Sequence, residues 1–226
     1  MTARIAVFAS GAGSNLEALL QYFASGEPAR PESPAVALVV SNRAGAGALG
    51  VAARHGVPTA HLGDPADGAV LLSLLMKHEI DLIALAGYLK AIPTTVTDAF
   101  TGRALNVHPA LLPAFGGQGM YGSRVHRAVI QAGVRVTGVT VHFVDAVYDH
   151  GPIIAQWPVH VRSDDSTESL AARVLRVEHV LYPRVVAAVA DGRVRLDPNG
   201  RVRGTVFDMP DYAQFGLQPE GAAPCP

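Results

Sequence analysis

Asn106, His108 and Asp149 are the kinds of group that acyl transfer uses: an amide donor, an imidazole and a carboxylate. Asn106-Val107-His108-Pro109 ends a β-rich run, and alternation along a strand puts Asn106 and His108 on one face. Pro109 restricts the residue before it to extended conformations, which limits where the His108 imidazole can point. An amide N–H beside an imidazole suits a carbonyl that becomes a tetrahedral oxyanion, where losing one donor costs about 100- to 1000-fold in rate. Asp149 falls within Asp145-Ala146-Val147-Tyr148-Asp149-His150-Gly151-Pro152, a stretch that also reads as an Asx turn before a strand. Spacing does not place it beside His108. If it stands there, its charge raises the histidine pKa and favours the imidazolium as an acid. Single histidines at strand ends are more often structural, and His108 stands out among the nine of this chain through its neighbours.

The turn Ser10-Gly11-Ala12-Gly13-Ser14-Asn15 joins an apolar run to a helical one, where backbone N–H groups and the helix dipole can hold an anion. A dinucleotide fingerprint would need a third glycine where Leu16 stands, and an acidic residue where Ser41 and Asn42 stand. No lysine follows the glycines, which excludes a Walker-type triphosphate loop. Two readings remain: a site for one phosphate, with Ser14 and Asn15 adding donors, or a tight capped turn that binds nothing.

Metal chemistry finds little support. His78-Glu79 lacks the second histidine of a zincin helix, and no other pair has good ligand spacing. The one cysteine, Cys225, allows no internal disulfide and no thiolate cage, and suits a reducing cytoplasm. Met-Thr-Ala-Arg leads straight into an apolar strand without the h-region of a signal peptide, so a cytoplasmic location is expected. A net charge of -1 argues against nucleic acid or an anionic membrane as partner, and no apolar run approaches the length of a bilayer span. With 49% apolar and 16% charged residues, the 226-residue chain has the composition of a globular protein with a substantial core.

The elements that must position these groups alternate between β-rich and helical runs, the pattern of an α/β fold with an open, mainly parallel twisted sheet and helices on both faces. Strands are expected at Ile5 to Ala9, Ala35 to Ser41, Val57 to Leu62, Asp81 to Ala86 and Ala104 to Val107, then at Val134 to Val144 and Pro152 to Val161. The first helix starts with Ser14 as N-cap and Glu17 completing a capping box. Others run from Gly45 to His55, along Val70, Leu71, Leu74 and Leu75 to Glu79, and from Val125 to Ala132. Asp165 and Glu168 are expected to cap the last one. Leu112 to Gly122 reads as an irregular glycine-rich loop. Residues 1–204 are expected to form one domain and 205–226 an irregular tail.

Asn106-Val107-His108-Pro109-Ala110-Leu111-Leu112-Pro113 resembles the signature of enzymes that use 10-formyltetrahydrofolate. His142-Phe143-Val144 to Asp149, followed by Gly151-Pro152-Ile153-Ile154, is similar to their second signature. Gly11-Ala12-Gly13-Ser14-Asn15-Leu16 resembles the phosphate loop of the glycinamide ribonucleotide formyltransferases in particular, and the likeness runs from Ile5 to about Leu196. The resemblance implies a formyltransferase fold with a Rossmann-like N-terminal half, and Asn106, His108 and Asp149 as the catalytic group. It implies that Gly13, Ser14, Asn15 and Glu178 bind glycinamide ribonucleotide. Leu89, Lys90, Ala91, Ile92 and Asn106 would bind 10-formyltetrahydrofolate as cosubstrate, with Asp145, Ala146, Val147 and Tyr148. It implies no metal, and a monomer or homodimer. For Glu178 the sequence alone favours a solvated helix carboxylate.

Three features depart from the family pattern. Lys90 stands where many members have arginine, Asp64-Pro65-Ala66-Asp67 where many have a basic residue, and Phe115-Gly116-Gly117-Gln118-Gly119-Met120-Tyr121-Gly122 where many have a short turn. That loop is expected to reshape the mouth of the site without touching the catalytic signature. The rival readings are a formyltetrahydrofolate deformylase, a methionyl-tRNA formyltransferase, which would need a basic C-terminal domain, and a non-catalytic nucleotide or folate binder.

Overall fold

The computed structural model describes residues 2–25 and 34–206. Its frame is a seven-stranded sheet in the order β3-β2-β1-β4-β5-β6-β7. β1 (Arg4–Phe8), β2 (Ala35–Ser41), β3 (Thr59–His61), β4 (Leu82–Leu85) and β5 (Ala104–His108) run parallel. β6 (Val136–Phe143) and β7 (Ile153–His160) complete the sheet as an antiparallel pair. The chain winds outward through β2 and β3 on one side of β1, and through β4 and β5 on the other. The strand order therefore reverses at the C-terminal edges of β1 and β4, where open sheets of this kind place ligands.

Alternation divides the apolar side chains between two cores. Ile5, Val7, Leu105, Val107, Val139 and Val141 face one side, where α1 (Ser14–Ser25), α2 (Gly47–Arg54), α5 (Ser123–Gln131) and α6 (Thr167–Ala190) pack. Ala6, Phe8, Ile83 and Leu85 face the other, under α3 (Gly68–Lys77) and α4 (Thr94–Ala99). Among the described residues neither β6 nor β7 adds a buried residue to this second core. The second face is consequently free of helices where β5 meets β6, and Asn106, His108, Thr140 and His142 take their places there by strand parity.

Several local expectations need correction. Ser14 is the first helical residue rather than the cap: the Glu17 N–H bonds the carbonyl of Gly13, whose φ of +89° suits glycine. The Glu17 carboxylate turns to His55 at 2.9 Å instead of closing a capping box. α6 is capped by Ser166, whose hydroxyl accepts from Ser169 N at 3.1 Å. Asp165 is drawn away by Arg173, which bonds both its oxygens at 2.7 and 2.6 Å. The expected start of α2 at Gly45 was two residues early, and β3 is only three residues long. α4 was not foreseen, because Thr94-Thr95-Val96-Thr97 is β-branched and reads poorly as helix. Burial of Val96 and Phe100 in the second core overrides that preference. A two-stranded ribbon of β8 (Arg195–Leu196) and β9 (Val202–Arg203) follows α6. The expected tail lies, from residue 207 on, outside the described residues. Among those described, no helix is long and apolar enough to cross a membrane.

Candidate active site

A cleft of about 840 Å³ opens at the point where the strand order reverses. Its floor is held by Ser10 at the end of β1. The Ser10 N–H donates to Gly87 O at 3.1 Å, and its hydroxyl accepts from Leu89 N at 3.0 Å and donates to Asn42 Oδ1 at 2.6 Å. One side chain thus ties together the turns that follow β1, β2 and β4.

β5 supplies Asn106 and His108, and their cross-strand partners on β6 are His142 and Thr140. Thr140 Oγ1 donates to Ala110 O at 2.7 Å and accepts from Leu112 N at 3.0 Å, which steers the chain beyond His108 back over the sheet. The hairpin between β6 and β7 carries Asp149. Its return is tight: a Cβ on Gly151 would meet the carbonyl oxygen of Phe143, so only glycine fits. Asp149 itself has a φ of +54°, a sparsely populated conformation for an L residue.

The hairpin brings the carboxylate to the strand residues. Asp149 Oδ1 accepts from Asn106 Nδ2 at 3.3 Å and lies 3.7 Å from His142 Nε2; Oδ2 lies 3.4 Å from His108 Nδ1. Asn106 Nδ2 also meets His142 Nε2 at 3.1 Å. His142 Nδ1 is 2.7 Å from Phe143 O, a carbonyl that can only accept, so that nitrogen holds the proton. Its Nε2 is then the acceptor for Asn106, which fixes the direction of the amide. His108 Nε2 is 2.9 Å from Phe115 O and by the same reasoning donates to it.

The glycine-rich loop therefore touches His108 and Asp149, contrary to the sequence expectation. Phe115 supplies the carbonyl that binds His108, and Gly117 N donates to Asp149 Oδ2 at 2.9 Å. Gly117 has a φ of +95°, and a Cβ on Gly116 would collide with Leu112, so these glycines let the loop lie close.

The protonation expected for His108 also changes. Burial pushes its pKa down, and this outweighs the lift from Asp149 and the Phe115 carbonyl, leaving it below the ordinary histidine value. That direction favours the neutral ring, and with Nε2 donating to Phe115 O the open Nδ1 lies beside the carboxylate. Burial pushes the Asp149 carboxyl up, but His142, His108 and the Gly117 N–H outweigh it and hold the pKa below the usual range.

The cleft continues to the glycine turn after β1. Gly11 and Asn15 line it, whereas Gly13 and Ser14 are not among its lining residues. Glu178, on α6, is buried rather than solvated and accepts from Asn15 Nδ2 at 2.6 Å. Burial raises its pKa, partly offset by that hydrogen bond. Leu89, Lys90, Ala91 and Ile92 form the opposite wall with Asp145, Ala146, Val147 and Tyr148. Sequence reasoning passed over His142, Gly117 and Arg43, which also line the cleft. His142 had a usable signal, since it sits in the second signature at the parity of a β-strand facing Asn106. Nothing local marked the other two.

The formyl transferase family pattern matches residues 3–186. The chain belongs to the formyl transferase family. It is 42% identical over 204 residues to the chloroplastic phosphoribosylglycinamide formyltransferase of Arabidopsis thaliana, covering 87% of this chain and 68% of that one. Its fold is similar to glycinamide ribonucleotide transformylase 1 from Symbiobacterium toebii, with a TM-score of 0.81 and 38% identity over 90% of this chain and 94% of the other. A formyltetrahydrofolate deformylase from Pseudomonas syringae pv. tomato is also similar, with a TM-score of 0.78 and 27% identity over 91% of this chain and 66% of the other. In this formyltransferase the amide, imidazole and carboxylate meet at the reversal of strand order, on the wall of one cleft.

Proposed function

We propose that this formyltransferase moves the formyl group of 10-formyltetrahydrofolate to the amine of glycinamide ribonucleotide, in purine biosynthesis. The observation that carries the reading is that the Asn106, His108 and Asp149 cluster shares one cleft with Asn15 and the buried Glu178. The folate lies along Leu89 to Ile92 and the Asp145 to Tyr148 turn, and the ribonucleotide along the Gly11 to Asn15 turn and Glu178.

The uncharged amine attacks the formyl carbon, and the carbonyl electrons move onto oxygen. Asn106 Nδ2 has two hydrogens, one held by His142 at 3.1 Å and one by Asp149 at the longer 3.3 Å. The developing oxyanion replaces the second of these contacts. Phe115 O occupies Nε2 of His108, so Nδ1 is the nitrogen that faces the reacting atoms and receives a proton, with Asp149 beside it to balance the imidazolium. The proton released by the amine ends on the folate nitrogen as the bond from that nitrogen to the formyl carbon breaks. Neither a covalent enzyme intermediate nor a metal enters this sequence. Much of the acceleration comes from holding both substrates together, an effect of several kcal/mol, roughly 7 or more when alignment is good. The same reading has residues 1–204 acting as one cytoplasmic catalytic domain, as monomer or homodimer.

Purified protein is mixed with a 10-formyl folate, with and without glycinamide ribonucleotide, and release of the deformylated folate is followed by absorbance. Release that requires the ribonucleotide supports the formyltransferase. Release without it assigns a hydrolase that directs water through the same residues, and no release in either mixture leaves a binding protein.

A further inference from the structure

His108 begins a row of side chains that crosses three strands. Its cross-strand partner on β6 is Thr140, and the partner of Thr140 on β7 is Gln156. Such partners share one face of the sheet. With neighbouring strands about 4.8 Å apart, Gln156 stands about 10 Å from His108. The row ends there, because β7 is the last strand of the sheet. Gln156 is half-buried and is not among the residues that line the cleft.

The chain that leaves β5 folds back onto this row and is clasped by it. Gln156 Nε2 donates to Leu112 O at 2.9 Å and to Thr140 Oγ1 at 3.0 Å, which uses both amide hydrogens. A carbonyl can only accept, so the nitrogen of the amide must face Leu112. Thr140 Oγ1 gives its one hydrogen to Ala110 O at 2.7 Å and takes hydrogens from Leu112 N and Gln156, each at 3.0 Å. The hydroxyl has no capacity left, and both backbone groups of Leu112 are held by side chains. Leu111 is seated beside the clasp on Gly138, two residues before Thr140, where a Cβ would come within 2.6 Å of Leu111 Cδ2.

Leu112 stands three positions before Phe115. Phe115 has a φ of +57°, a conformation that a non-glycine residue keeps only where its surroundings hold it. Its carbonyl accepts from Nε2 of His108 at 2.9 Å, while Asp149 Oδ2 lies 3.4 Å from Nδ1 and competes for a proton on that side. The tautomer of His108 is thus decided between a carbonyl on the loop and a carboxylate on the β6–β7 hairpin. We propose that Gln156 is a positioning residue for the reaction: by holding Leu112 it keeps the Phe115 carbonyl on Nε2 of His108 and so leaves Nδ1 free to accept a proton. The proposal rests on the reading of His108 as the imidazole of formyl transfer. Without the Gln156 amide the root of the loop loosens and the carbonyl withdraws. The ring proton then moves to Nδ1, where Asp149 accepts it, and the nitrogen that faces the substrate can no longer take a proton.

The test uses the full chain with Gln156→Met and Gln156→Glu, side chains of similar length that lack the amide hydrogens. Nitrogen NMR of the histidine rings reads the tautomer in the ligand-free protein at a pH where His108 is neutral. Wild type is expected to carry the proton on Nε2, and both variants should shift toward the Nδ1–H form. Turnover should fall about 10- to 100-fold, the scale of a misplacement of up to about 1 Å, with both KM values within about twofold of wild type. An unchanged tautomer in a folded variant, or a wild-type ring already protonated on Nδ1, overturns the proposal. So does near-normal turnover in a variant whose tautomer has moved, and so does loss of folding in both variants, because the clasp would then serve the sheet edge and not the site. The tautomer is read without substrate and is scored separately from the activity: the expected shift in a protein whose wild type transfers no formyl group would keep the clasp and remove the proposed function.

Discussion

The backbone N–H of Gly117 donates to Oδ2 of Asp149 across 2.9 Å, the same oxygen that lies 3.4 Å from His108 Nδ1. The glycine-rich loop is thereby bonded to the carboxylate that lies beside His108. Gly117→Ala keeps the N–H but places a side chain at a φ of +95°, with open space around it, so strain in the backbone is the whole effect. That strain is about 1 to 3 kcal/mol and is relieved by moving the loop. Turnover should fall about tenfold, or roughly 1.4 kcal/mol, with both KM values little changed. A kcat within twofold of wild type would show that the Asp149 contact is dispensable.

In the proposed mechanism Asn106→Ala removes the donor to the oxyanion, and turnover should drop about 100- to 1000-fold without loss of folding. His108→Ala should do comparable damage. The double variant should be far less impaired than the product of the two single losses, because the residues act as a unit. Multiplying losses in steady-state kinetics would mean that they act independently.

Asp149 raises the pKa of His108 against the larger, opposite effect of burial. Asp149→Asn deletes the charge and leaves the burial, so the midpoint for His108 should move further below the wild-type value. Histidine ring signals followed by NMR across pH 4 to 8 test this directly. An unmoved midpoint would break the link between the two residues.

Glu178 is buried and its pKa is raised, chiefly by burial. A carboxyl raised in the folded state adds stability below its unfolded pKa, and that contribution is lost as pH rises through the folded value. Glu178→Gln cannot ionise and can still accept from Asn15. Its melting temperature should exceed that of wild type at pH 8 and approach it toward pH 4, while turnover falls at least about tenfold if the carboxylate receives the substrate amine. Parallel melting curves at every pH would contradict the raised pKa.

Tyr182 is fully buried on α6, and its hydroxyl donates to Leu85 O at 2.9 Å, at the end of β4. Tyr182→Phe should cost about 1 kcal/mol, the usual net worth of a hydrogen bond, in denaturant unfolding. Catalysis should be nearly unchanged. A much larger loss would mean that this bond also sets the register of the strand ends beneath the cleft.

The sequence by itself determined the elements whose patterns are local. Ile5 to Ala9 is an apolar run and Ala104 to Val107 a β-rich one, and Gly56 follows α2 with a φ of +68° as its position suggests. Asn106 and His108 shared a face through alternation alone. That pairing was legible because two residues apart on a strand is a geometric statement, whereas the 41 positions from His108 to Asp149 carry no such constraint. Only the tertiary structure decided that the β6–β7 hairpin folds Asp149 back onto β5, that Phe115 takes Nε2 of His108, and that Glu178 is buried against Asn15. The charge of His108 was beyond sequence for the same reason: it is a balance between burial and neighbours, and both are set by packing between segments distant along the chain.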